Sequence, residues 1–229
     1  MQKIVSSFLQ LLFPHCCLGC SSDYIQKDRL LCGRCTHQLP ATGFFDLKAN
    51  PVERIFYGRL RVENAAACYY FTKNALIQHL LVQLKYRGNK DVGLFLGRMI
   101  GRAMQTSPQY KDIDFLVPLP LNPKKEFKRG YNQAELICRG IQEITSIPIL
   151  KTGIRRRQFT ESQTSRNRIN RWQNMETAFE INEREKLVNK HVLLVDDVIT
   201  TGATIEACGS YILEIPGTRL SIAAAAYTI

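Results

Sequence analysis

The sequence predicts an α/β protein with a doubly wound, mainly parallel sheet and a small cysteine-rich module near its N-terminus. The run His191–Val195 contains only one polar residue, which is typical of a strand buried on both faces of a parallel sheet. Strand and helix patterns also alternate along the chain, in the order strand, helix, strand, helix, strand, helix, strand. Two C-x2-C pairs precede all of these elements.

The first half of the predicted domain is a strand followed by two helices. Alternating apolar and aromatic residues predict a strand at 65–72, and apolar positions at helical spacing predict helices at 75–86 and 91–105. Asn74 is expected to cap the first helix, and Gly88 is expected to end it.

The second half continues this alternation. A strand is predicted at 115–120, and the helix after it ends near Thr145. The last predicted helix runs to about Leu213. Residues 38–64 have no clear periodicity and contain several Pro and Gly, so they are interpreted as a connector.

Chemistry-bearing residues follow the strand that begins at His191. The strand ends in two adjacent carboxylates, and a turn of Thr, Gly and Ala then opens a helix. Backbone N–H groups and Thr hydroxyls at a helix N-terminus can bind phosphate, while carboxylates accept hydrogen bonds from sugar hydroxyls. An ordinary strand-to-helix turn is the alternative. The pattern predicts a sugar-phosphate site at Asp196, Asp197, Thr200, Thr201, Gly202, Ala203 and Thr204. The turn contains no Lys, so ATP hydrolysis is not indicated.

The cysteines predict a structural metal site. Cys17 with Cys20 and Cys32 with Cys35 form two C-x2-C knuckles that are separated by eleven residues. Such paired knuckles suit tetrahedral Zn²⁺, and four thiolates would close its coordination shell. Disulfides or free thiols are the alternative. Three nearby residues could replace a ligand, namely His15, Cys16 and His37.

Charge is distributed unevenly over the 229 residues. The net charge is +11, and residues 116–172 carry 12 basic and 4 acidic side chains. Residues 173–229 carry 4 basic and 8 acidic side chains. A locally basic surface of this kind indicates a polyanionic ligand.

The N-terminal segment is apolar, and it has two interpretations: a lipoprotein signal or an amphipathic helix. Its apolar stretch is short and is interrupted by Ser and Gln, and Pro14 and His15 stand where cleavage needs small residues. Apolar residues at 4, 5, 8, 9, 11 and 12 instead indicate an amphipathic helix that packs against the knuckle or the main domain. No segment reaches the ~20 apolar residues of a membrane span. We therefore expect a cytoplasmic protein without membrane insertion.

A basic loop follows the second predicted strand and opens the next helix. Lys124 and Lys125 alone are best interpreted as solvated residues of this loop. Loops at the carboxyl ends of parallel strands are where ligands bind in doubly wound sheets. The turn and helix start are therefore interpreted as functional, with Arg129, Gly130, Tyr131, Asn132 and Gln133.

Several motifs together resemble the ComF family of phosphoribosyltransferase-like proteins, which are linked to DNA uptake in naturally competent bacteria. They are L-K-Y-R-G, P-L-P-L, K-R-G-Y-N-Q-A-E, R-R-x-x-x-T-x-x-Q-x-x-x-x-R and V-D-D-V-x-T-T-G-A-T. The last is similar to the phosphoribosyl-diphosphate (PRPP) signature of type I phosphoribosyltransferases. The stretch from Arg156 to Asp197 is also similar to glutamine PRPP amidotransferases. Their glutaminase half and N-terminal nucleophilic Cys are lacking here, so that activity is not expected.

The resemblance implies a type I phosphoribosyltransferase-like fold at 51–229, after an N-terminal helix, zinc knuckle and connector at 1–50. It implies PRPP binding with Mg²⁺ and transfer of a ribosyl phosphate to an acceptor that the sequence does not identify. The acid pair would hold the ribose hydroxyls, and the Thr-Gly turn would hold the 5′-phosphate. No residue is assigned as catalytic acid or base. Candidates for the pyrophosphate or lid are Lys85, Arg87, Arg129, Gly130, Asn132, Gln133, Arg156 and Gln163.

Residues 151–174 are basic and have few apolar anchors. By resemblance they match the mobile loop that closes over PRPP and excludes water. They could instead contact the DNA backbone, where Arg and Lys bind phosphates without reading sequence. Trp172 and Tyr131 could stack on bases. A non-catalytic protein that binds single-stranded DNA, or other competence and recombination proteins, and retains PRPP recognition is therefore the alternative function.

Overall fold

The computed structural model describes residues 15–151, 154–156 and 179–228. The predicted N-terminal helix, Gln163, Trp172 and most of the predicted loop at 151–174 lie outside these residues. The described helices and strands are, in chain order, α1 (Gly33–His37), α2 (Pro51–Phe56), β1 (Ala65–Phe71), α3 (Leu76–Tyr86), α4 (Lys90–Thr106), β2 (Phe115–Pro118), α5 (Pro123–Arg129), α6 (Gln133–Thr145), β3 (Ile154–Arg156), β4 (Phe179–Ile181), α7 (Arg184–Leu187), β5 (His191–Ile199), α8 (Ala203–Leu213) and β6 (Arg219–Thr228).

Four strands form one parallel sheet in the order β1-β6-β5-β2. The two central strands, β5 and β6, are almost completely buried, because helices cover both faces of a sheet of this kind. A separate antiparallel pair is formed by β3 and β4. The predicted α/β class with a mainly parallel sheet is therefore confirmed.

The helices lie on both faces of the sheet. The connection from β1 to β2 crosses the sheet in one direction, and the connection from β5 to β6 runs in the opposite direction. Because such crossovers are right-handed, α3 and α4 lie on the face opposite α8. On the face that carries α3 and α4, helices α4 and α6 approach each other closely at two glycines. A Cβ on Gly97 would lie 2.1 Å from the Ile137 carbonyl oxygen, and one on Gly140 would lie 2.2 Å from that of Leu94.

The segment predicted as a connector is part of the packed core, so that interpretation was wrong. It contains α2, and Phe44, Phe45 and Phe56 are buried. The Asn50 side chain caps α2 by accepting hydrogen bonds from the Val52 and Glu53 N–H groups. Asn followed by Pro and an acid within the first turn is a helix-start signal that could have revealed α2. The division of the chain at residue 50 stays a prediction.

The predicted cap of α3 was also wrong. Residue Ala75 occupies the cap position, and no side chain caps this end of α3. Asn74 instead takes a left-handed φ of 61°, and its N–H donates to the Gln78 side chain at 2.6 Å. Gly88 does follow the helix, with a φ of 70°, as predicted. No helix among the described residues is both long and apolar enough to cross a membrane.

Candidate functional site

The acid pair lies within strand β5 and not after its end. The sequence predicts that the strand ends at Val195, because burial is interrupted there by two carboxylates. In the structure β2 stops opposite Val195, but β6 continues beside β5 as far as Ile199. Asp196 and Asp197 therefore lie where β5 has lost one neighbouring strand and kept the other. The gap beyond the end of β2 opens the sheet edge to a ligand.

Burial and a neighbouring carboxylate perturb Asp196. Asp197 is 9% exposed and Asp196 is half-buried, and the Asp197 N–H donates to Asp196 Oδ1 at 2.7 Å. Desolvation first and the Asp197 charge second raise the pKa of Asp196, while that N–H and Lys85 lower it, and the net result is a pKa of about 7. The ionised form of Asp196 is therefore costly in the free protein, and a nearby positive charge or hydrogen-bond donor stabilises it.

Lys85 neutralises part of this acid pair. Its ammonium lies 2.8 Å from Asp197 Oδ1, and both side chains are largely buried. Lys85 belongs to the last turn of α3, and Tyr86 and Arg87 follow it. The lysine of the L-K-Y-R-G segment therefore contacts the acid pair.

The Thr-Gly turn rests directly on α2. Gly202 has a left-handed φ of 73°, and a Cβ there would lie 2.9 Å from both Ile55 Cγ2 and Phe56 Cε1. Glycine is therefore required by both conformation and space. The cap residue of α8 is Gly202, which has no side chain, and the Ala203 N–H makes only a long hydrogen bond of 3.5 Å to the Thr201 hydroxyl. A small pocket of about 60 Å³ is lined by the turn and by Asp196. Free backbone N–H groups beside a helix N-terminus are the arrangement that binds phosphate.

The start of α6 is held against the end of β2. The Asn132 side chain accepts a hydrogen bond from the Ala134 N–H and donates one to the Leu119 carbonyl, both at 3.0 Å. Arg129 donates to the Gln133 side chain at 2.8 Å and lies 5.5 Å from the ring centre of Tyr86. These contacts orient the basic C-terminal end of α5 toward the carboxyl ends of the strands.

One cavity of about 190 Å³ brings most of the predicted residues together. It adjoins the small pocket at the Thr-Gly turn, since both are lined by Asp196 and Thr204. Lys125 also lines the cavity, although it was predicted to be a solvated loop residue. The predicted residues that line it are Lys85, Arg129, Asn132, Gln133, Arg156, Asp196, Asp197 and Thr204.

Thr200, Thr201, Gly202 and Ala203 line only the smaller pocket, and three further predicted residues line neither pocket or cannot be placed. Arg87 is exposed at the C-terminal cap of α3, and Gly130 is an exposed cap with a φ of 77°. Neither lines the cavity. Gln163 lies outside the described residues.

Arg59 is a residue of this region that sequence reasoning missed. It donates a hydrogen bond to the Thr201 carbonyl at 3.1 Å and forms an ion pair with Glu206. The hydrogen bond joins residues 142 positions apart. No local motif surrounds Arg59, so nothing in the sequence pattern indicates the contact.

The four knuckle cysteines form a compact cluster. Their sulfur atoms all lie within 4.8 Å of one another, and the Sγ atoms of Cys20 and Cys32 are 3.8 Å apart. A tetrahedral Zn²⁺ with Zn–S bonds of ~2.3 Å needs sulfur atoms about 3.8 Å apart. None of the four cysteines forms a disulfide. The cluster therefore fits a structural zinc site with the predicted ligands, Cys17, Cys20, Cys32 and Cys35.

The neighbouring candidates for ligands are excluded from this cluster. His15 Nε2 is hydrogen-bonded to the Arg29 carbonyl at 2.7 Å, and neither Cys16 nor His37 belongs to the group. Burial raises the Cys17 pKa, but N–H groups of Cys32, Cys20 and Gly19 outweigh it and lower the pKa to about 6. Such a thiol is already disposed to ligate a metal as thiolate.

A larger cavity lies elsewhere among the described residues. It measures about 780 Å³ and is situated between the cysteine module and α4. Its lining includes Lys27, Arg29, Phe95, Arg98 and Arg102, and none of the predicted site residues. Size alone therefore does not identify the candidate site.

Comparisons with known proteins give the following similarities. The chain is 27% identical to "Competence protein F" of Haemophilus influenzae over 194 residues, which are 84% of this chain and 76% of that protein. It is 27% identical to "Competence protein ComFC" of Bacillus subtilis and 24% identical to "DNA utilization protein YhgH" of Escherichia coli K12. These two alignments span only 56% and 60% of the relatives' lengths. No protein-family model matches the chain. The relatives confirm the resemblance to ComF proteins.

Two solved structures are also similar in part. Glutamine PRPP amidotransferase from B. subtilis matches with 19% identity and a TM-score of 0.46, covering 63% of this chain and 30% of that one. Hypoxanthine phosphoribosyl transferase of Trypanosoma cruzi matches with 14% identity and a TM-score of 0.37, covering 62% and 74%.

Proposed function

We propose that the chain binds PRPP with Mg²⁺ as a phosphoribosyltransferase-like protein and acts in DNA uptake. One observation carries the PRPP part of this proposal. The acid pair and Thr204 from the signature segment share a cavity with four cations from other segments, Lys85, Lys125, Arg129 and Arg156. A ligand with a sugar diol and several phosphates has the complementary chemistry. The role in DNA uptake is supported by the names of the relatives, which refer to competence and DNA utilization.

Each part of PRPP is assigned to a different part of the site. The turn at 200–204 holds the 5′-phosphate through backbone N–H groups and Thr hydroxyls. Asp196 and Asp197 accept hydrogen bonds from the two ribose hydroxyls. Lys85, Arg129 and Arg156 meet the pyrophosphate. Gly130, Asn132 and Gln133 position Arg129, and residues 151–174 cover the ligand.

These assignments give the protein a defined part in ribosyl transfer. As the bond from C1 of the ribose to the pyrophosphate oxygen breaks, the cations stabilise the charge of the leaving group. Asp196 and Asp197 keep the ribose fixed and lie near the positive charge that develops on the ring. Mg²⁺ supplies Lewis-acid stabilisation of the pyrophosphate when it is bound. The acceptor is unidentified, and we assign no general acid or base.

Calorimetric titration with PRPP and Mg²⁺ tests the proposal, followed by a screen for pyrophosphate release over a panel of nucleobases. Saturable PRPP binding supports the site, and release with one base identifies the acceptor. Absence of PRPP binding at millimolar concentration would overturn the proposal.

A second candidate function is binding of single-stranded DNA by a non-catalytic protein that retains PRPP recognition. Two aromatic side chains beside the cavity favour it: Tyr86 is 70% exposed and Phe127 is 92% exposed. Phe127 shares α5 with three exposed basic residues, and Arg129 lies 5.5 Å from the ring centre of Tyr86; the three are Lys124, Lys125 and Lys128. Exposed aromatic rings among cations are the arrangement on which single-stranded bases stack.

Fluorescence anisotropy with a labelled oligonucleotide separates this candidate from the first. Affinity should fall steeply with salt and depend little on sequence. Phe127→Ala with Tyr86→Ala should weaken binding, and Tyr24→Ala should not, since Tyr24 is an equally exposed ring on the cysteine module. Replacing Arg155, Arg156, Arg157, Arg166 and Arg168 with Ala should also weaken binding and flatten the salt slope. Equal affinity in all variants would rule out DNA binding by this surface.

A further inference from the structure

Arg59 lies behind the turn at 200–204 and joins three segments of the chain. Its guanidinium donates hydrogen bonds to the Ile55 carbonyl at 3.2 Å and the Thr201 carbonyl at 3.1 Å. The same group forms an ion pair with Glu206 in the first turn of α8. The end of α2, the Thr-Gly turn and the helix that follows it are therefore tied to one side chain.

The position of the Thr201 carbonyl decides where the next N–H points. In a planar trans peptide, the C=O and the following N–H point to opposite sides. Arg59 holds the Thr201 oxygen on the side of α2, so the Gly202 N–H points away from α2. The pocket of about 60 Å³ lies along the turn and is lined by Asp196 and residues 198–205. Within the described part of the chain, no group accepts a hydrogen bond from this N–H.

Packing around Gly202 acts on the same peptide. The left-handed φ of Gly202 and its contact distance to Ile55 and Phe56 leave no room for the turn to shift toward α2. Arg59 and the glycine therefore restrain one peptide group from two sides. A donor held in its final orientation loses little entropy when it binds an anion.

We propose that Arg59 is a positioning residue for phosphate recognition. It turns the Gly202 N–H toward the bound phosphate and places positive charge behind the turn, without contacting the ligand. Glu206 pairs with the guanidinium and offsets part of its charge, while the two carbonyl acceptors fix its position. The inference rests on the proposed function, in which this turn binds the 5′-phosphate of PRPP.

Titration of the full chain with three ligands tests the role of Arg59: ribose 5-phosphate, PRPP with Mg²⁺, and pyrophosphate with Mg²⁺. Arg59→Met should weaken ribose 5-phosphate and PRPP by the same factor, about tenfold, which corresponds to ~1.4 kcal/mol. Pyrophosphate affinity should stay within about twofold, because its cations lie on other segments. Arg59→Lys should lose less, since one ammonium can reach a carbonyl but cannot span all three acceptors.

Two control variants separate positioning from general stability. Arg54→Met removes an exposed arginine within α2 that donates to the Ala49 carbonyl at 2.9 Å and does not contact the turn. It should leave all three affinities unchanged. Glu206→Gln removes the ion pair and keeps the hydrogen bond to Thr201, so ribose 5-phosphate affinity should stay within about twofold.

The possible outcomes distinguish this inference from the proposed function. If the unaltered chain binds PRPP and Arg59→Met binds it equally well, the positioning role is wrong and the proposed function stands. If the unaltered chain binds neither sugar phosphate, both are wrong. Equal losses for all three ligands, or a loss in Glu206→Gln as large as in Arg59→Met, would also overturn the positioning role. Where Arg59→Met does not fold, Arg59→Lys gives the same comparison.

Discussion

The ammonium of Lys85 lies 2.8 Å from Oδ1 of Asp197, so the end of α3 is joined to β5 inside the candidate site. In the sequence-based assignment Lys85 meets the pyrophosphate and Asp197 holds a ribose hydroxyl. The ion pair places the two residues at neighbouring points of one cavity. It also means that a bound ligand has to share or replace a contact that the free protein already makes.

We expect the Lys85–Asp197 pair to contribute to stability as a unit. Lys85→Met leaves two carboxylates with an uncompensated charge, and Asp197→Asn leaves an ammonium without its partner. Each single variant should therefore lose more than half of the free energy of unfolding that the double variant loses. A coupling of roughly 1–3 kcal/mol is expected for a largely buried pair. Urea denaturation of the four proteins measures it, and additive effects would contradict the pairing.

Removal of both carboxylate charges should abolish PRPP binding. Asp196→Asn with Asp197→Asn removes charge-assisted hydrogen bonds worth about 1.5–3 kcal/mol each. Calorimetric titration with PRPP and Mg²⁺ measures the loss, with Asp46→Asn as a control at an exposed position. An unchanged affinity in the double variant would refute the assignment of the acid pair to the ribose.

Gly202→Ala should destabilise the whole domain as well as the turn. The new Cβ would lie 2.9 Å from Ile55 and Phe56, at a φ of 73° that L residues rarely adopt. We expect a loss of roughly 2–4 kcal/mol in the free energy of unfolding, and more for Gly202→Val. Gly58 has a similar φ of 69°, and a Cβ there would have no neighbour within 4 Å. Gly58→Ala therefore measures the conformational part of the stability loss alone. Equal losses at the two positions would contradict the packing argument.

Because of this contact, Gly202→Val is not a clean test of ligand binding. The turn, α2 and the core beneath them would change together. Loss of PRPP binding in that variant would therefore not identify a residue that contacts phosphate.

The stability contributed by Asp196 should depend on pH. Its pKa is about 7 in the folded protein and about 4 in an unfolded chain, so the folded state binds the proton more tightly. The loss of folding stability caused by ionising Asp196 grows as pH rises from about 4 to about 7 and is constant above about pH 7. Asp196→Asn removes this cost.

The advantage of Asp196→Asn over the unaltered chain should therefore increase between pH 4 and pH 7. Three pKa units correspond to about 4 kcal/mol, and partial exposure of the side chain reduces the expected gain to roughly 1–3 kcal/mol. Denaturant unfolding of both proteins at pH 5 and pH 8 measures the difference. A difference that is the same at both pH values would contradict the raised pKa.

The cysteine cluster should bind about one Zn²⁺ per chain. Cys17→Ser and Cys32→Ser are each expected to lose the metal, because a structural site needs all four thiolates. Cys16→Ser should keep it, since Cys16 adjoins the cluster and does not belong to it. Elemental analysis of freshly purified, reduced protein checks this, and metal content near zero would refute the site.

Loss of zinc should affect stability more than ligand binding. The knuckle lies outside the cavity that holds the acid pair, so metal removal by a chelator should lower the melting temperature and largely spare PRPP affinity. A chelator that abolishes PRPP binding without unfolding the chain would show that the two sites are coupled.

Much of the site was predictable because its signals are local. The apolar strand, the adjacent Asp196 and Asp197, the Thr-Gly turn and the two C-x2-C knuckles each occupy a few consecutive positions. Strand periodicity, turn chemistry and metal-ligand spacing are properties of such short segments. The sequence by itself therefore determined the fold class, the position of the adjacent carboxylates and of the Thr-Gly turn that follows them, and the four cysteines that cluster.

Tertiary structure decided how these segments are joined. The pairing of Lys85 with Asp197 and the contact of Arg59 with Thr201 connect residues far apart in the chain. The length of β5 beyond Val195 was set by its neighbour β6, and the required glycine at 202 was set by the side chains of α2. These features depend on which segments meet in the folded chain, and local periodicity carries no information about that.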